Sequence, residues 1–317
     1  MKMSNATTMV LEFILQCAIE SNQKTVMICA LAFIYFVCMF GNLLVILVIT
    51  LNPQLYAPMY LYIGTLAVID LANSSILIPK MLSALLLGSS VVPYAACMLQ
   101  MFLMAHVEEM ESYLLAFMAF DRYVAIVYPL RYPSAITNKN AAIGVLVSNI
   151  FGIIFKSYIL IAVSELSFCG TNIIPFCFCD YPTVVHISCS EQPKYLLPMS
   201  ASVVASGVFP LVLVLLSYSR IAIEVLRISS TGSKIFSTCL THLLVVGLFY
   251  IPLLLSYLLP GAGVKLSTEA YNAMVIVGNV LPPMLNPIIY SFRNKEIKVC
   301  IHRLFTGKRN QASVNHD

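Results

Sequence analysis

The sequence predicts an all-α membrane protein, a seven-transmembrane helix bundle closed by a short amphipathic C-terminal helix. Three observations predict it. The chain is 60% hydrophobic and only 10% charged, against roughly a quarter charged in a soluble domain. Seven stretches are long and apolar enough to cross a bilayer, a span needing about 20 such residues. The basic residues gather on one side of those stretches. A net charge of +4 over 317 residues, with no basic run, excludes a nucleic-acid footprint.

The seven stretches run over 26–50, 59–87, 97–124, 141–163, 196–221, 235–259 and 270–291. They divide the chain into a tail (1–25), the bundle (26–291), and an amphipathic helix with its own tail (292–317). Met1 to Glu12 lacks an apolar core with a small-residue cleavage site, so the first apolar helix is expected to act as its own insertion signal. Several spans contain Gly, Pro or polar residues, which packed bundles tolerate because neighbouring helices satisfy the freed backbone groups.

The positive-inside rule sets the orientation. With the N-terminus outside, the cytoplasm receives Arg122, Arg131, Lys139, Arg220, Arg227, Lys234, Arg293, Lys295, Lys298, Arg303, Lys308 and Arg309. The outer side receives Lys2, Lys24, Lys194 and Lys265, with Lys80 and Lys156 near outer helix ends. Asn5-Ala6-Thr7 is a glycosylation acceptor on the outer tail. Asn73-Ser74-Ser75 matches the same pattern inside the second span, out of reach of a glycosyltransferase. After the seventh span, Ile297, Cys300, Ile301, Leu304 and Phe305 form one apolar stripe, expected to lie on the inner leaflet. Cys300 on that stripe is either a palmitoylation site or a plain buried cysteine.

Charges within a bilayer are costly and mark function. Five of the fourteen acids fall inside spans: Asp70, Glu108, Glu109, Glu111 and Asp121. Glu108, Glu111 and Arg122 share one face of the third helix, which must point into the bundle. Glu109 lies about 100° round the wheel and is expected to face the fourth or fifth helix. Asp70 and Glu111 can meet between the second and third helices. Two carboxylates in low dielectric cannot both stay ionised without a partner. Either a monovalent ion joins them, or they form a protonated pair hydrogen-bonded to Asn42 or Asn286.

Asp121-Arg122-Tyr123 ends the third helix at the cytoplasm. Arg122 can pair with Asp121 or release it and extend elsewhere, which makes a bistable element. Pro287 kinks the last span and frees a backbone carbonyl that Asn286 is expected to satisfy, while Tyr290 can swing about the kink. Pro210 and Pro252 place similar weak points in the fifth and sixth spans. His242 and His302 fall at cytoplasmic helix ends and are expected to be interfacial. Cys169, Cys177, Cys179 and Cys189 crowd one polar segment, which suits disulfides on an oxidising face.

At these residues the chain resembles the rhodopsin-like G-protein-coupled receptors: Gly41-Asn42, Asp70, Asp121-Arg122-Tyr123 and Asn286-Pro287-Ile288-Ile289-Tyr290 match in order and spacing. Within that class it resembles the odorant receptors along nearly its whole length. The matches include Pro58-Met59-Tyr60, Pro79-Lys80-Met81-Leu82 and Met118-Ala119-Phe120-Asp121-Arg122-Tyr123-Val124-Ala125-Ile126. They continue with Pro129-Leu130-Arg131-Tyr132, Ser217-Tyr218, Lys234-Ile235-Phe236-Ser237-Thr238-Cys239 and Ser291-Phe292-Arg293-Asn294-Lys295. The segment around Pro129 suggests a fish-type receptor for water-soluble odorants.

The resemblance implies roles by position. Cys97 would bridge to Cys179 and Cys169 to Cys189, leaving Cys177 over. Asp70, Glu111, Asn42 and Asn286 would form a sodium-ion pocket, which favours the ion over the protonated pair. Asp121, Arg122, Tyr123, Tyr218, Pro287 and Tyr290 would form the switch that admits a heterotrimeric G protein. The odorant cavity would be lined by Met104, Ala105, Glu108, Glu109, Ser202, Ser206, Tyr250, Leu253, Tyr257 and Ile276. Ser202 and Ser206 present two hydroxyls on one helix face. Glu108 in that cavity favours a cationic or strongly hydrogen-bonding ligand, because a desolvated carboxylate needs a partner.

The implied protein is an odorant receptor of the plasma membrane, in olfactory sensory neuron cilia, with no enzymatic activity and no cofactor beyond an allosteric sodium ion. Its partners would be a small-molecule odorant, membrane lipid and the olfactory stimulatory G protein that raises cyclic AMP. A transporter or channel would show internal repeats and a continuous polar path, neither of which the sequence contains. A membrane enzyme would need metal-ligand spacing or a Ser-His pair within a span. A rhodopsin-like receptor for a non-olfactory small molecule remains the alternative.

Overall fold

A computed structural model describes residues 11–17, 21–88, 90–169, 171–190, 192–227, 232–261 and 267–306. Asn5 lies outside the described residues.

Among the described residues seven long helices form one bundle: α1 (Ser21–Leu51), α2 (Pro58–Leu87), α3 (Tyr94–Val127), α4 (Asn138–Ser164), α5 (192–227), α6 (Gly232–Gly261) and α7 (Thr268–Arg293). The short α8 (Lys295–Thr306) follows. Two local signals mark helix starts: Pro58, whose fixed φ suits the first turn, opens α2, and Thr137 caps α4 by accepting from the Asn140 N–H at 3.2 Å. Six helices are long and apolar enough to cross a membrane. The other, α3, spans 34 residues but carries Glu108, Glu109, Glu111, Asp121 and Arg122. It packs against α2, α4, α5 and α6, so protein rather than lipid receives those charges.

The bundle surface has the character of a lipid contact. On α4, Leu146, Val147, Ile150, Phe151 and Ile154 are exposed, and on α1 Phe33, Phe36 and Phe40 are too. Water would penalise apolar patches of that size.

One end of the bundle holds three disulfides and a small sheet that the all-helix expectation did not contain. The strand β1 (Glu12–Leu15) pairs antiparallel with β2 (Ser90–Pro93) and parallel with β3 (Ile173–Ile174). Phe13 and Leu15 are fully buried, because period-2 alternation turns both toward α3 and the loop beneath. Part of the predicted tail is therefore folded onto the bundle. Cys97 is bonded to Cys179 and Cys169 to Cys189. Cys177 is not left over: it is bonded to Cys17, with the two Cα atoms 4.4 Å apart. That pairing escaped the sequence reading because Cys17 looks like one more tail residue until β1 brings it to the loop.

At the opposite end α8 lies beside α1. Ile297 and Cys300 are buried there, and Gln54 donates to Cys300 Sγ at 2.8 Å. This geometry favours the plain buried cysteine. Tyr60 donates a short hydrogen bond to Glu296, tying α2 to α8.

Candidate functional site

The prolines of α7 create the first polar cluster. A proline removes the hydrogen bond to the carbonyl four residues earlier, so Pro283 frees the carbonyl of Asn279 and Pro287 that of Pro283. Asn73 of α2 donates to the Asn279 carbonyl at 3.0 Å, and Asn42 of α1 donates to the Pro283 carbonyl at 2.9 Å. This corrects the expectation that Asn286 serves that carbonyl: its side chain points the other way. It also takes Asn42 out of direct contact with the acids. Asn73, which the sequence offered only as a chance glycosylation match, is one of the two caps. Gly41 makes the close approach possible, since a Cβ there would sit 2.9 Å from Pro287 Cγ.

Asn286 instead donates to both carboxylate oxygens of Asp70, at 3.3 and 3.1 Å. Asp70 is fully buried and Glu111 is 3% exposed, with Oε1 of Glu111 and Oδ1 of Asn286 unpartnered. Asp70 and Glu111 lie within each other's field, and among the described residues no cationic side chain pairs with either. Buried orphan oxygens on two neighbouring acids fit a monovalent cation or a shared proton. Cys38, with its thiol 2.9 Å from Ser74 Oγ, packs beside this cluster.

Toward the disulfide end lies a cavity of about 190 Å³ between α3, α4, α5, α6, α7 and the loop after β3. Met104, Ala105, Glu108, Glu109, Ser202, Ser206 and Leu253 line it. Ile276 does not: it packs with Leu31, Leu77 and Ile78 of α1 and α2. The face of α7 that turns inward is Tyr271, Met274, Val275 and Gly278, about 100° round from Ile276. Tyr250 stands outside the lining and braces it, its hydroxyl 2.6 Å from that of Ser112. The Tyr257 side chain lies outside the described residues.

Lys156 is the residue whose role the sequence missed. Assigned to an outer helix end, it is 5% exposed and ion-pairs with Glu109 at 3.4 Å. Its ammonium also donates to Ser206 at 3.1 Å and makes a short bond to Ser202. The two hydroxyls expected on one face of the helix are thus both bound to a lysine. Glu109 does face α4, as its place on the wheel suggested. A signal existed in the sequence: a lone lysine between apolar residues of a span needs a buried acid. Asp180, also on the cavity wall, caps the short helix Tyr181–Ile187 by accepting from Thr183 N–H and Oγ1. Burial pushes its carboxyl above the usual range, against the pull of those bonds.

At the α8 end, Asp121 accepts from the Tyr132 hydroxyl at 3.0 Å and does not ion-pair with Arg122. Arg122 thus has no ion pair with its neighbour, although its charge still acts on Asp121. Its Nε is unpartnered, and its charge reaches Tyr218, Cys239, His242 and Tyr290. His242 is 1% exposed and not interfacial, with Nδ1 2.6 Å from the Tyr218 hydroxyl. That contact is the polar clasp between α5 and α6. Tyr290 is buried with its hydroxyl unpartnered.

Seven long helices with a cavity at one end, two buried acids at the centre and an arginine without an acid partner at the other have the architecture of a seven-helix membrane receptor. The olfactory receptor family profile matches residues 31–308. The chain is 37% identical to human olfactory receptor 3A1, covering 96% of this chain and 97% of that one. It is 34% identical to rat olfactory receptor 1468 with the same coverage, and 37% identical to mouse olfactory receptor 3A10 over 87% and 88% of the two chains. The chain belongs to the olfactory receptor family. It is a multi-pass plasma-membrane receptor and not an enzyme. These three relatives are mammalian and do not bear on the fish-type wording near Pro129.

Proposed function

We propose that this receptor binds a small odorant in the cavity and thereby activates the olfactory stimulatory G protein, raising cyclic AMP in olfactory sensory cilia. The observation that carries the reading is the cavity itself. It is lined by six helices and a disulfide-tied loop, and its floor includes Glu111 of the central acid cluster. The N-terminus lies outside and α8 inside, in keeping with the distribution of basic residues. An odorant shifts the bundle only by its differential affinity for two states. The state with α5 and α6 apart at the inner end breaks the Tyr218–His242 bond and exposes Arg122 to the G protein.

The Asp70, Glu111 and Asn286 cluster would hold a sodium ion that favours the closed state. Replacing sodium by choline should then raise agonist potency, and Asp70→Asn should remove that sensitivity. The main test is a cyclic-AMP screen of amines, amino acids, acids and aldehydes, with Arg122→Ala matched for surface expression. A response that survived Arg122→Ala would overturn the coupling route.

A further inference from the structure

We propose that the cavity takes a compact organic cation, an alkyl- or arylammonium, held between the carboxylates of Glu108 on α3 and Asp180 of the loop. The proposal rests on the cavity being the odorant site and names the ligand class. Both carboxyls line the same cavity and lie within each other's electrostatic reach. Among the described residues Glu108 has neither an ion pair nor a hydrogen bond from a neighbour. The bonds that Asp180 accepts both end on Oδ2, which leaves Oδ1 for a ligand.

The one lysine or arginine in the lining is Lys156, and Glu109, Ser202 and Ser206 already saturate it. An anionic ligand would have to break that network and also face Glu108, Asp180 and Glu111. A cationic ligand leaves that network intact and meets Glu108, Asp180 and Glu111 against the one ammonium of Lys156, which also lies within the field of Glu108. Glu111, which borders the central acid cluster, also lines this cavity one turn deeper, 3% exposed with an unpartnered Oε1, and lies within the field of Glu108. Carboxylates drawn partly out of water into one cavity favour a counter-charge. Tyr271 of α7, close to both Glu108 and Asp180, supplies an aromatic face for the ammonium's alkyl neighbours.

The test uses the full-length receptor in nanodiscs, with thermal unfolding in the presence of matched probes: hexylamine, hexanol and hexanoate, then phenethylamine and 2-phenylethanol. The amines should raise the unfolding temperature at concentrations where their neutral and anionic counterparts do not. Glu108→Gln should weaken amine binding at least tenfold, and Glu108→Asp should restore most of it. Asp180→Asn keeps the helix cap, because asparagine also accepts there, and should weaken amine binding as well. Equal stabilisation by hexanol or hexanoate, no stabilisation by either amine, or full amine affinity in Glu108→Gln would each overturn the assignment. Cyclic-AMP assays on the same probes separate the two readings. Amine binding without any G-protein response sinks the receptor mechanism alone. Responses to aldehydes or alcohols without amine binding sink the cation site alone.

Discussion

The two halves of this bundle spend their buried polar groups differently. Where α7 meets α1 and α2, the proline-freed carbonyls recruit side chains: Asn42 and Asn73 each donate to one, beside the side-chain pair of Asn286 and Asp70. Around α3, α4, α5 and α6, side chains are spent on each other: Lys156 on Glu109 and two serines, Ser112 on Tyr250, Tyr218 on His242. A backbone carbonyl stays where the helix puts it, so the first kind of bond fixes a joint. Side-chain pairs can be exchanged for a ligand, an ion or a new rotamer, so the second kind lets a wall or seam rearrange. The α5 helix reinforces the contrast: a π turn at Val204–Val208 precedes Pro210, a local adjustment of the kind found at functional sites.

Breaking the strongest side-chain pair should give the largest effect. Lys156→Met leaves Glu109 buried without its cation, and the loss of a buried partner costs about 3–5 kcal/mol. Poor surface expression and a lower unfolding temperature are expected, with recovery in the Lys156→Met, Glu109→Gln double variant. If the double variant is as unstable as the single one, the pair is not exchangeable and the contrast fails.

On the other side, Asn73→Leu should cost about 1–3 kcal/mol, because it orphans the Asn279 carbonyl. The informative comparison is with Pro283→Ala, which restores an N–H for that carbonyl. In the Pro283→Ala background the Asn73→Leu penalty should shrink, and additive losses in calorimetry would show that the capping account is wrong.

Gly41→Ala places a methyl group against Pro287 and should cost about 1–3 kcal/mol by overpacking, whereas Gly207→Ala in the π turn meets open space and should change little. Equal unfolding temperatures for the two variants would deny the tight joint at α1 and α7.

The smallest effect belongs to the seam. Tyr218→Phe removes one hydrogen bond, about 0.5–1.5 kcal/mol net, and should raise basal cyclic AMP a few-fold by releasing His242. An unchanged basal signal would mean that the bond does not hold α5 and α6 together.

The sequence alone determined the bundle, because seven runs of spanning length leave one class of solution in lipid, where every backbone group must be satisfied within the protein. It also identified the polar exceptions, Asp70, Glu111, Arg122 and Asn286, since a charge or amide in such a run is visible as a break in composition. Tertiary structure decided what each exception touches. That Asn42 and Asn73 serve proline-freed carbonyls, that Lys156 is a buried partner for Glu109, and that Cys17 finds Cys177 all depend on distances between segments far apart in the chain. Hydrophobic periodicity gives the face of a helix but not the depth or rotation at which it meets its neighbour. The same limit explains Ile276: placed on the cavity side by resemblance, it is turned by one residue's rotation into the contact of α7 with α1 and α2.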